Sequence, residues 1–272
     1  MQKILVPIDF SSFSYNALGV AADIARKANA EIHLLHILEA PATESNDEIN
    51  KKFLEVLELK SMAGLKIKDA VKIDSILQGI EHYADKNDID LLVMGSHGKR
   101  KTDQHVFGSN TDQVMKNTDL PLLIVKESTP NFSINTVVFS SNFFNEANIS
   151  FSKVKLLLEV YHPEIHLLKV ITPGHSESTD YSMRLMEDFA SYNNLKGYFC
   201  KIVHAKSVEE GINAYCNEAN PELLVMETHG RSGLSHLLFG SISEDIVSKR
   251  KQPVLTIKIG STEEKTDIIF PS

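Results

Sequence analysis

The chain repeats itself once, and this repeat constrains the fold more than any other feature. Three strings recur, the first after 133 residues and the other two after 132: Glu31–Leu35 as Glu164–Leu168, Leu91–Met94 as Leu223–Met226, and Phe107–Ser109 as Phe239–Ser241. Solenoid and propeller units repeat every 20 to 50 residues or so, far less than this period. The repeat therefore indicates a duplicated domain.

The boundary between the copies falls near residues 128–131, where turn-forming residues separate two apolar runs. We expect an N-terminal domain over 1–128, a C-terminal domain over 133–260 and a flexible tail over 261–272. A total of 272 residues suits two small domains of this size.

Apolar runs alternate with segments of helical periodicity in both copies, including a helix expected over 49–65. The strands expected in the first copy are Ile4–Ile8, Ile32–Leu38, Val71–Ile73, Asp90–Met94 and Leu122–Val125, and those in the second are Val137–Ser140, Ile165–Ile171, Tyr198–Val203, Leu223–Met226 and Val254–Ile259. Continuous apolar runs are typical of parallel strands covered on both faces. The pattern predicts an α/β fold of two tandem, doubly wound, five-stranded parallel sheets.

Composition excludes several classes of protein. The net charge of −8 gives no positive field for nucleic acid or anionic lipid. No apolar run approaches the roughly 20 residues of a membrane span, and the first ten residues are too interrupted for a secretory signal. Two cysteines supply no disulfide framework. We interpret the chain as cytoplasmic, without a nucleic-acid or membrane partner.

The ends of strands one and four carry the residues that suggest binding, because ligands of open parallel sheets lie beyond the strand ends. Gly95 and Gly98 would allow positive φ and close approach of a ligand. Gly108 and Ser109 would open a helix, whose free amide groups attract phosphate. Asp9 is placed to accept hydrogen bonds from ribose hydroxyls. No Walker string is present in either half.

Each of these residues also has a purely structural interpretation. Asp9 would serve equally well as a helix cap. The basic residues 99–101 are more typical of a solvated loop than of a phosphate site, and His97 and His229 more often bond to backbone than transfer protons. The sequence contains no nucleophile elbow and no metal-ligand spacing. We therefore assign no catalytic residue and no metal ligand.

Taken together, these segments resemble the universal stress protein family in a tandem two-domain form. The resemblance rests on Ile4–Ser11, Leu34–Ile37 and Val93–Gly98, and it covers residues 1–260. The family pattern Gly-x2-Gly-x9-Gly-[Ser/Thr] is met by Gly95, Gly98, Gly108 and Ser109.

The resemblance implies the strand order 3-2-1-4-5 of the adenine nucleotide alpha hydrolase-like fold and a bound ATP or AMP. Whether Mg²⁺ accompanies the nucleotide is left open. The residues it implies at the nucleotide are Ile8, Asp9, Ile37, Met94, Gly95, His97, Gly98, Gly108, Ser109 and Asn110. It also implies that the last strands, ending at Lys126 and Ile259, pair as an intramolecular pseudo-dimer. Association into a homo-oligomer is left open.

The second copy departs from the pattern at two positions, with Asn142 in place of Asp9 and Glu227 in place of Gly95. A carboxylate about 4 Å from a phosphate charge costs about 4 kcal/mol at an effective dielectric near 20, nearly three decades in affinity, unless Mg²⁺ bridges the two. We therefore expect the nucleotide in the first copy. The weaker candidates of the second copy are Asn142, Val170, Gly230, Arg231, Gly240, Ser241 and Ile242.

Three functions remain open from the sequence. The first is a nucleotide-binding module with a role in the stress response. The second is a slow ATP hydrolase or phosphotransferase, for which His97 and Asp103 are the only nearby groups that could serve as a base. The third is an interaction scaffold that binds no nucleotide.

Overall fold

Strands and helices alternate along both copies of the repeat. The structure, a computed structural model, describes residues 1–41, 44–96, 108–174, 177–229 and 245–259. The N-terminal repeat contains β1 (Lys3–Pro7), α1 (Ser12–Ala28), β2 (Glu31–Leu38), α2 (Asn46–Leu57), a 3-10 turn (Lys60–Met62), β3 (Lys66–Ile73), α3 (Ile76–Asn87), β4 (Leu91–Gly95), α4 (Ser109–Asn117) and β5 (Leu122–Val125). The C-terminal repeat contains β6 (Thr136–Ser140), α5 (Asn145–Tyr161), β7 (Glu164–Ile171), α6 (Thr179–Tyr192), β8 (Tyr198–His204), α7 (Val208–Ala219), β9 (Leu223–His229) and β10 (Val254–Ile259).

All ten strands form one sheet, in the order β3-β2-β1-β4-β5-β10-β9-β6-β7-β8. Within each repeat the strands are parallel and follow the order 3-2-1-4-5, so the predicted α/β class is confirmed. The two five-stranded halves are continuous rather than separate, because β5 and β10 pair antiparallel with Leu123 beside Leu255.

Helices cover both faces of the sheet and bury its side chains in two layers. Ile4 and Val6 of β1 belong to one layer, packed with residues of α1, α2, α5 and α6. Leu5 belongs to the other, packed with residues of α3, α4 and α7. All three side chains are fully buried. Two covered faces explain why central strands such as β1 and β4 have no polar alternation in the sequence, whereas the edge strand β3 is largely exposed and has polar residues along it.

The ends of α1 are set by polar residues, and its C-terminal end has a counterpart in α5. The Ser11 hydroxyl accepts a hydrogen bond from the Ser14 amide at the start of α1, at 3.3 Å. At the other end, α1 and α5 stop at Asn29 and His162, both in the left-handed conformation. A left-handed residue turns the chain out of the helix and towards the next strand.

The helix expected over 49–65 ends earlier, at Leu57. Leu59 is extended, a 3-10 turn follows, and Gly64 has φ +76°. Met62 is nevertheless only 3% exposed. The apolar spacing continues beyond the helix because the short turn still buries side chains, so periodicity alone could not show where α2 stops.

In the described ranges, none of the helices combines the length and the apolar character that crossing a bilayer takes.

Candidate functional site

A cleft of about 320 Å³ lies beyond the carboxyl ends of β1 and β4. These neighbouring strands are the point where the strand order reverses, since β2 lies on one side of β1 and β5 lies beyond β4. The cleft is lined by Pro7, Ile8, Asp9, Ser11, Phe13, Ser14, Leu35, Ile37, Ile76, Met94, Gly95, Gly108, Ser109, Asn110 and Thr111. Its volume lies near the lower end of the roughly 300 to 1,000 Å³ of small-molecule sites.

Most residues selected from the sequence meet at this cleft. Those that line it are Ile8, Asp9, Ile37, Met94, Gly95, Gly108, Ser109 and Asn110. His97 and Gly98 lie outside the described residues, as do the basic residues 99–101. Sequence reasoning missed Ile76, the first residue of α3, although applying the strand-end rule to β3 would have found it.

One end of the cleft is apolar. Leu35 and Ile37 lie two residues apart on β2 and therefore share a face of the sheet. Ile76 and Met94 extend the same wall from α3 and β4. Leu35, Ile37 and Met94 are buried. Such a wall suits a flat, weakly polar group such as a purine base.

Asp9 supports the start of α1. Its Oδ1 accepts hydrogen bonds from the Ser11 amide at 3.0 Å and the Ser11 hydroxyl at 2.6 Å. The N-cap residue of α1 is Ser11, and Asp9 holds that residue in place by accepting its hydrogen bonds. Burial by itself would raise the pKa of Asp9, but the hydrogen bonds from Ser11 and Ser14 outweigh burial and hold the pKa below its ordinary value. The cleft therefore has an ionised carboxylate at its rim.

The N-terminus of α4 forms another part of the lining of the cleft. Gly108 is the N-cap residue and has no side chain to bond the first amide groups. The Thr111 hydroxyl donates to the Gly95 carbonyl at 3.1 Å and so holds α4 against the end of β4. Uncapped amides and the positive end of a helix dipole are the groups that bind phosphate.

Gly95 has a different role from the one expected. It does not adopt positive φ, and the backbone nearest to it belongs to α1. A Cβ atom at this position would lie 2.2 Å from the Phe13 carbonyl oxygen. The expectation of positive φ at Gly95 is therefore wrong, because the glycine is required by the packing of α1 on β4.

In the C-terminal repeat, two candidate residues fall within the described ranges. The Asn142 side chain accepts a hydrogen bond from the Phe144 amide at 3.2 Å, which reproduces the turn made by Asp9 and Ser11. Val170 lies on β7, in the position of Ile37. The other candidates lie outside the described residues: Gly230, Arg231, Gly240, Ser241 and Ile242.

Glu227 makes the C-terminal repeat different. Its side chain on β9 is 6% exposed, and Oε2 accepts a hydrogen bond from the Ser141 hydroxyl at 2.5 Å. Within the described part of the chain, Oε1 has no hydrogen-bond partner. Burial raises the pKa of Glu227 although the Ser141 bond opposes the shift. α1 packs mainly on β4, whereas α5 packs mainly on β10. This difference is expected if the Glu227 side chain fills the space that the backbone of α1 fills beside Gly95.

Across the described ranges, no three His, Cys, Asp or Glu side chains converge to hold a metal ion. His97 and Asp103, the groups considered for hydrolysis, lie outside those ranges.

The sequence matches a known protein family and individual proteins of that family. A family model described as the universal stress protein family matches residues 1–126 and 150–258. A universal stress protein of Methanocaldococcus jannaschii is 30% identical over 140 residues, which cover 46% of this chain and 82% of that protein.

Among solved structures, a universal stress protein from Archaeoglobus fulgidus DSM 4304 aligns with a TM-score of 0.74 at 21% identity, covering 95% of this chain and 98% of that chain. A protein described as a putative universal stress protein from Pseudomonas aeruginosa UCBPP-PA14 aligns with a TM-score of 0.68 at 15% identity, covering 95% and 93%. At these identities the likeness shows a shared fold over both repeats.

Proposed function

Since the chain belongs to the universal stress protein family, we propose that its N-terminal repeat binds an adenine nucleotide, ATP or AMP, and serves the stress response through that ligand or through partners. The observation that carries the proposal is the cleft beyond β1 and β4. It combines an apolar wall, an ionised Asp9 and the uncapped N-terminus of α4. A nucleotide presents a base, a sugar and phosphates, one part for each of these three features.

Each part of the ligand has a matching group. The base would lie on the wall formed by Ile37, Ile76 and Met94, where burial of apolar surface favours binding. The ribose hydroxyls would donate to Asp9. The phosphates would accept hydrogen bonds from the amides that follow Gly108. Mg²⁺ would arrive with the phosphates of ATP, because this ion keeps several waters and binds through substrate phosphates.

The C-terminal repeat, proposed as domain 133–260, has a different role in this proposal. Glu227 is buried against Ser141 where the N-terminal repeat has a glycine, and Asn142 lacks the charge of Asp9. We assign this repeat to the scaffold: its last strand, β10, extends the sheet of the N-terminal domain, 1–128, as the second half of an intramolecular pseudo-dimer.

Calorimetric titration with ATP and with AMP tests the proposal, and the expected stoichiometry is one nucleotide per chain. The discriminating variant is Gly108→Asp. Aspartate is a favourable N-cap residue, so the fold should be retained. Its carboxylate would lie near the phosphates and lower the affinity by about two to three decades.

Gly108→Asn is the matched control, since asparagine caps a helix equally well without charge. It should bind nucleotide far more tightly than Gly108→Asp does. Equal affinity for ATP in the aspartate variant and the parent would show that the phosphate position is assigned wrongly. No binding by the parent protein would refute the proposed function.

A further inference from the structure

His36 and Lys169 occupy equivalent positions in the two repeats. His36 directly precedes Ile37 of the apolar cleft wall, and Lys169 directly precedes Val170, the equivalent of Ile37. Each therefore lies on the opposite face of its strand from that neighbour. Each also approaches a glutamate from the segment that follows its strand, and the two glutamates are again 133 residues apart: Glu44 and Glu177. The repeats thus place a histidine in one copy and a lysine in the other beside an equivalent glutamate.

The His36 ring touches the end of β1. Its Nδ1 lies 2.7 Å from the carbonyl oxygen of Ile8, and the side chain is 6% exposed. A carbonyl only accepts, so this bond requires the proton on Nδ1. In a neutral imidazole the other nitrogen, Nε2, then carries no proton. It is buried, has no hydrogen-bond partner and lies 3.9 Å from Oε2 of Glu44.

A neutral histidine can donate to only one of these two acceptors. In the structure the Ile8 carbonyl receives the ring proton, and Oε2 of Glu44 accepts a hydrogen bond from Nζ of Lys52 at 3.0 Å instead. With the proton on Nε2, the Nδ1 lone pair would face the Ile8 carbonyl. A second proton removes this conflict, because both ring nitrogens of an imidazolium are donors.

Lys169 shows the arrangement with both acceptors satisfied. Its Nζ donates to the Asn142 carbonyl at 2.7 Å and lies 2.8 Å from Oε2 of Glu177. An ammonium group carries three protons, so it can serve both acceptors at once. In the C-terminal repeat, Lys169 thus joins the Asn142 carbonyl to the Glu177 carboxylate without gaining a further proton.

Charged groups of both signs lie around His36. Oε2 of Glu44 lies 3.9 Å from Nε2 of the ring. Lys52 of α2 has its Nζ 3.0 Å from Oε2 of Glu44 and 5.2 Å from the centre of the Phe10 ring, which itself lies 4.9 Å from the His36 ring. Asp9 follows Ile8 in the chain. On the other side, β3 places the apolar Val71 beside His36.

We propose that His36 is a positioning residue that makes nucleotide affinity in the N-terminal repeat increase as the pH falls through the range in which histidine gains its second proton. Protonated His36 holds the carbonyl of Ile8, a residue that lines the cleft, together with Glu44 and so fixes the position of Ile8. Histidine is the side chain whose charge ordinarily changes between about pH 5 and pH 8. The inference rests on the proposed function, because the ligand is the nucleotide.

The test compares ATP affinity at pH 6 and pH 8 in the parent, in His36→Lys and in His162→Asn. His36→Lys copies the C-terminal arrangement. His162→Asn removes a different histidine, at a left-handed position that asparagine tolerates. The phosphates of free ATP gain and lose protons identically whichever protein is measured. We therefore compare, between proteins, the ratio of the ATP affinity at pH 6 to the ATP affinity at pH 8. We expect that ratio to be about three- to tenfold larger in the parent and in His162→Asn than in His36→Lys, the effect of one net hydrogen bond.

Amide hydrogen exchange of residues 36–41 and 44–45 without ligand supplies an independent measurement. Protection should fall from pH 6 to pH 8 in the parent but stay constant in His36→Lys. Glu44→Gln, which removes the carboxylate and leaves the histidine, should also show the smaller ratio of ATP affinities expected of His36→Lys.

The outcomes separate the inference from the proposed function. Equal pH ratios in the parent and His36→Lys, with ATP bound, would overturn the inference and leave the proposed function intact. Equal protection in both proteins at both pH values would also overturn it. ATP bound by none of the proteins at either pH would refute the proposed function, and the inference with it.

Discussion

The Phe13 carbonyl of α1 lies against Gly95 of β4 so closely that a Cβ atom at residue 95 would be 2.2 Å from its oxygen. The nearest obstacles are backbone atoms, which cannot rotate away as a side chain can. A glycine that matches a binding motif is thus required by the scaffold, with or without a ligand.

Gly95→Ala should therefore destabilise the protein. Moving α1 away from β4 disturbs a fully packed layer, and overpacking of this kind typically costs about 1 to 3 kcal/mol. Urea denaturation measures the change in the free energy of unfolding. Gly19→Ala is the control, because a Cβ atom there meets nothing within 4 Å and alanine favours a helix interior by up to about 1 kcal/mol. Equal stability of the two variants would contradict the packing argument.

Glu227 should make the stability of the C-terminal repeat depend on pH. Its pKa is raised from 4.5 by burial, so above pH 4.5 the folded state holds this proton more tightly than the unfolded state does. The stabilisation from Glu227 is thus fully present below pH 4.5 and is lost as the pH rises through the raised pKa.

Glu227→Gln cannot ionise and should lack this loss. The difference in melting temperature between the variant and the parent should therefore shift in favour of the variant as the pH rises from 4 to 8. If the difference in melting temperature stays constant over this range, Glu227 has the same pKa in the folded and the unfolded state, which would contradict the prediction.

A histidine–tyrosine contact recurs in the two repeats. Nδ1 of His33 lies 3.0 Å from the Tyr83 hydroxyl, and Nδ1 of His166 lies 2.8 Å from the Tyr215 hydroxyl. Tyr83→Phe should cost about 1 to 3 kcal/mol of unfolding free energy, because it leaves a buried ring nitrogen without a partner.

Tyr215→Phe should cost less, since the His166 side chain is 13% exposed and that of His33 only 2%. Tyr192→Phe, at a tyrosine 69% exposed, is the control and should change stability by no more than about 0.5 kcal/mol. Chemical denaturation of the three variants checks the order, and a Tyr83→Phe effect as small as that of the control would refute it.

Gly79 sets the position of the Ile37 side chain. A Cβ atom on Gly79 would lie 3.0 Å from Cδ1 of Ile37, the flexible end of that chain. Gly79→Ala should displace Ile37 within the cleft wall and weaken ATP binding several-fold, with little loss of stability because alanine favours the helix.

Gly211→Ala is the matched variant in the C-terminal repeat. There the Cβ atom would lie 2.5 Å from Cγ1 of Val170, a β-branched side chain with little rotational freedom. This variant should lose stability, with little direct effect on ATP affinity in the N-terminal cleft. Calorimetry and denaturation together measure both properties, and reversal of the pattern would contradict the assignment of the wall.

The sequence alone determined the duplication, the α/β class and the neighbourhood of the cleft. These follow from local rules, since apolar runs predict strands and strand ends predict where polar residues meet. The prediction of α2 was wrong beyond Leu57, because the 3-10 turn that follows also buries apolar side chains and so preserves the periodicity.

Only the tertiary structure decided which groups lie against each other. It brought α1 against Gly95, Glu227 against Ser141, and His36 between Ile8 and Glu44. It also set the antiparallel register of β5 on β10, two strands whose pairing the family resemblance implied. The local sequence pattern fixes the type of each element. A contact between residues far apart in the chain, however, is made or lost by a difference of a few tenths of an ångström in distance. Such distances are set by the packing of all the elements together.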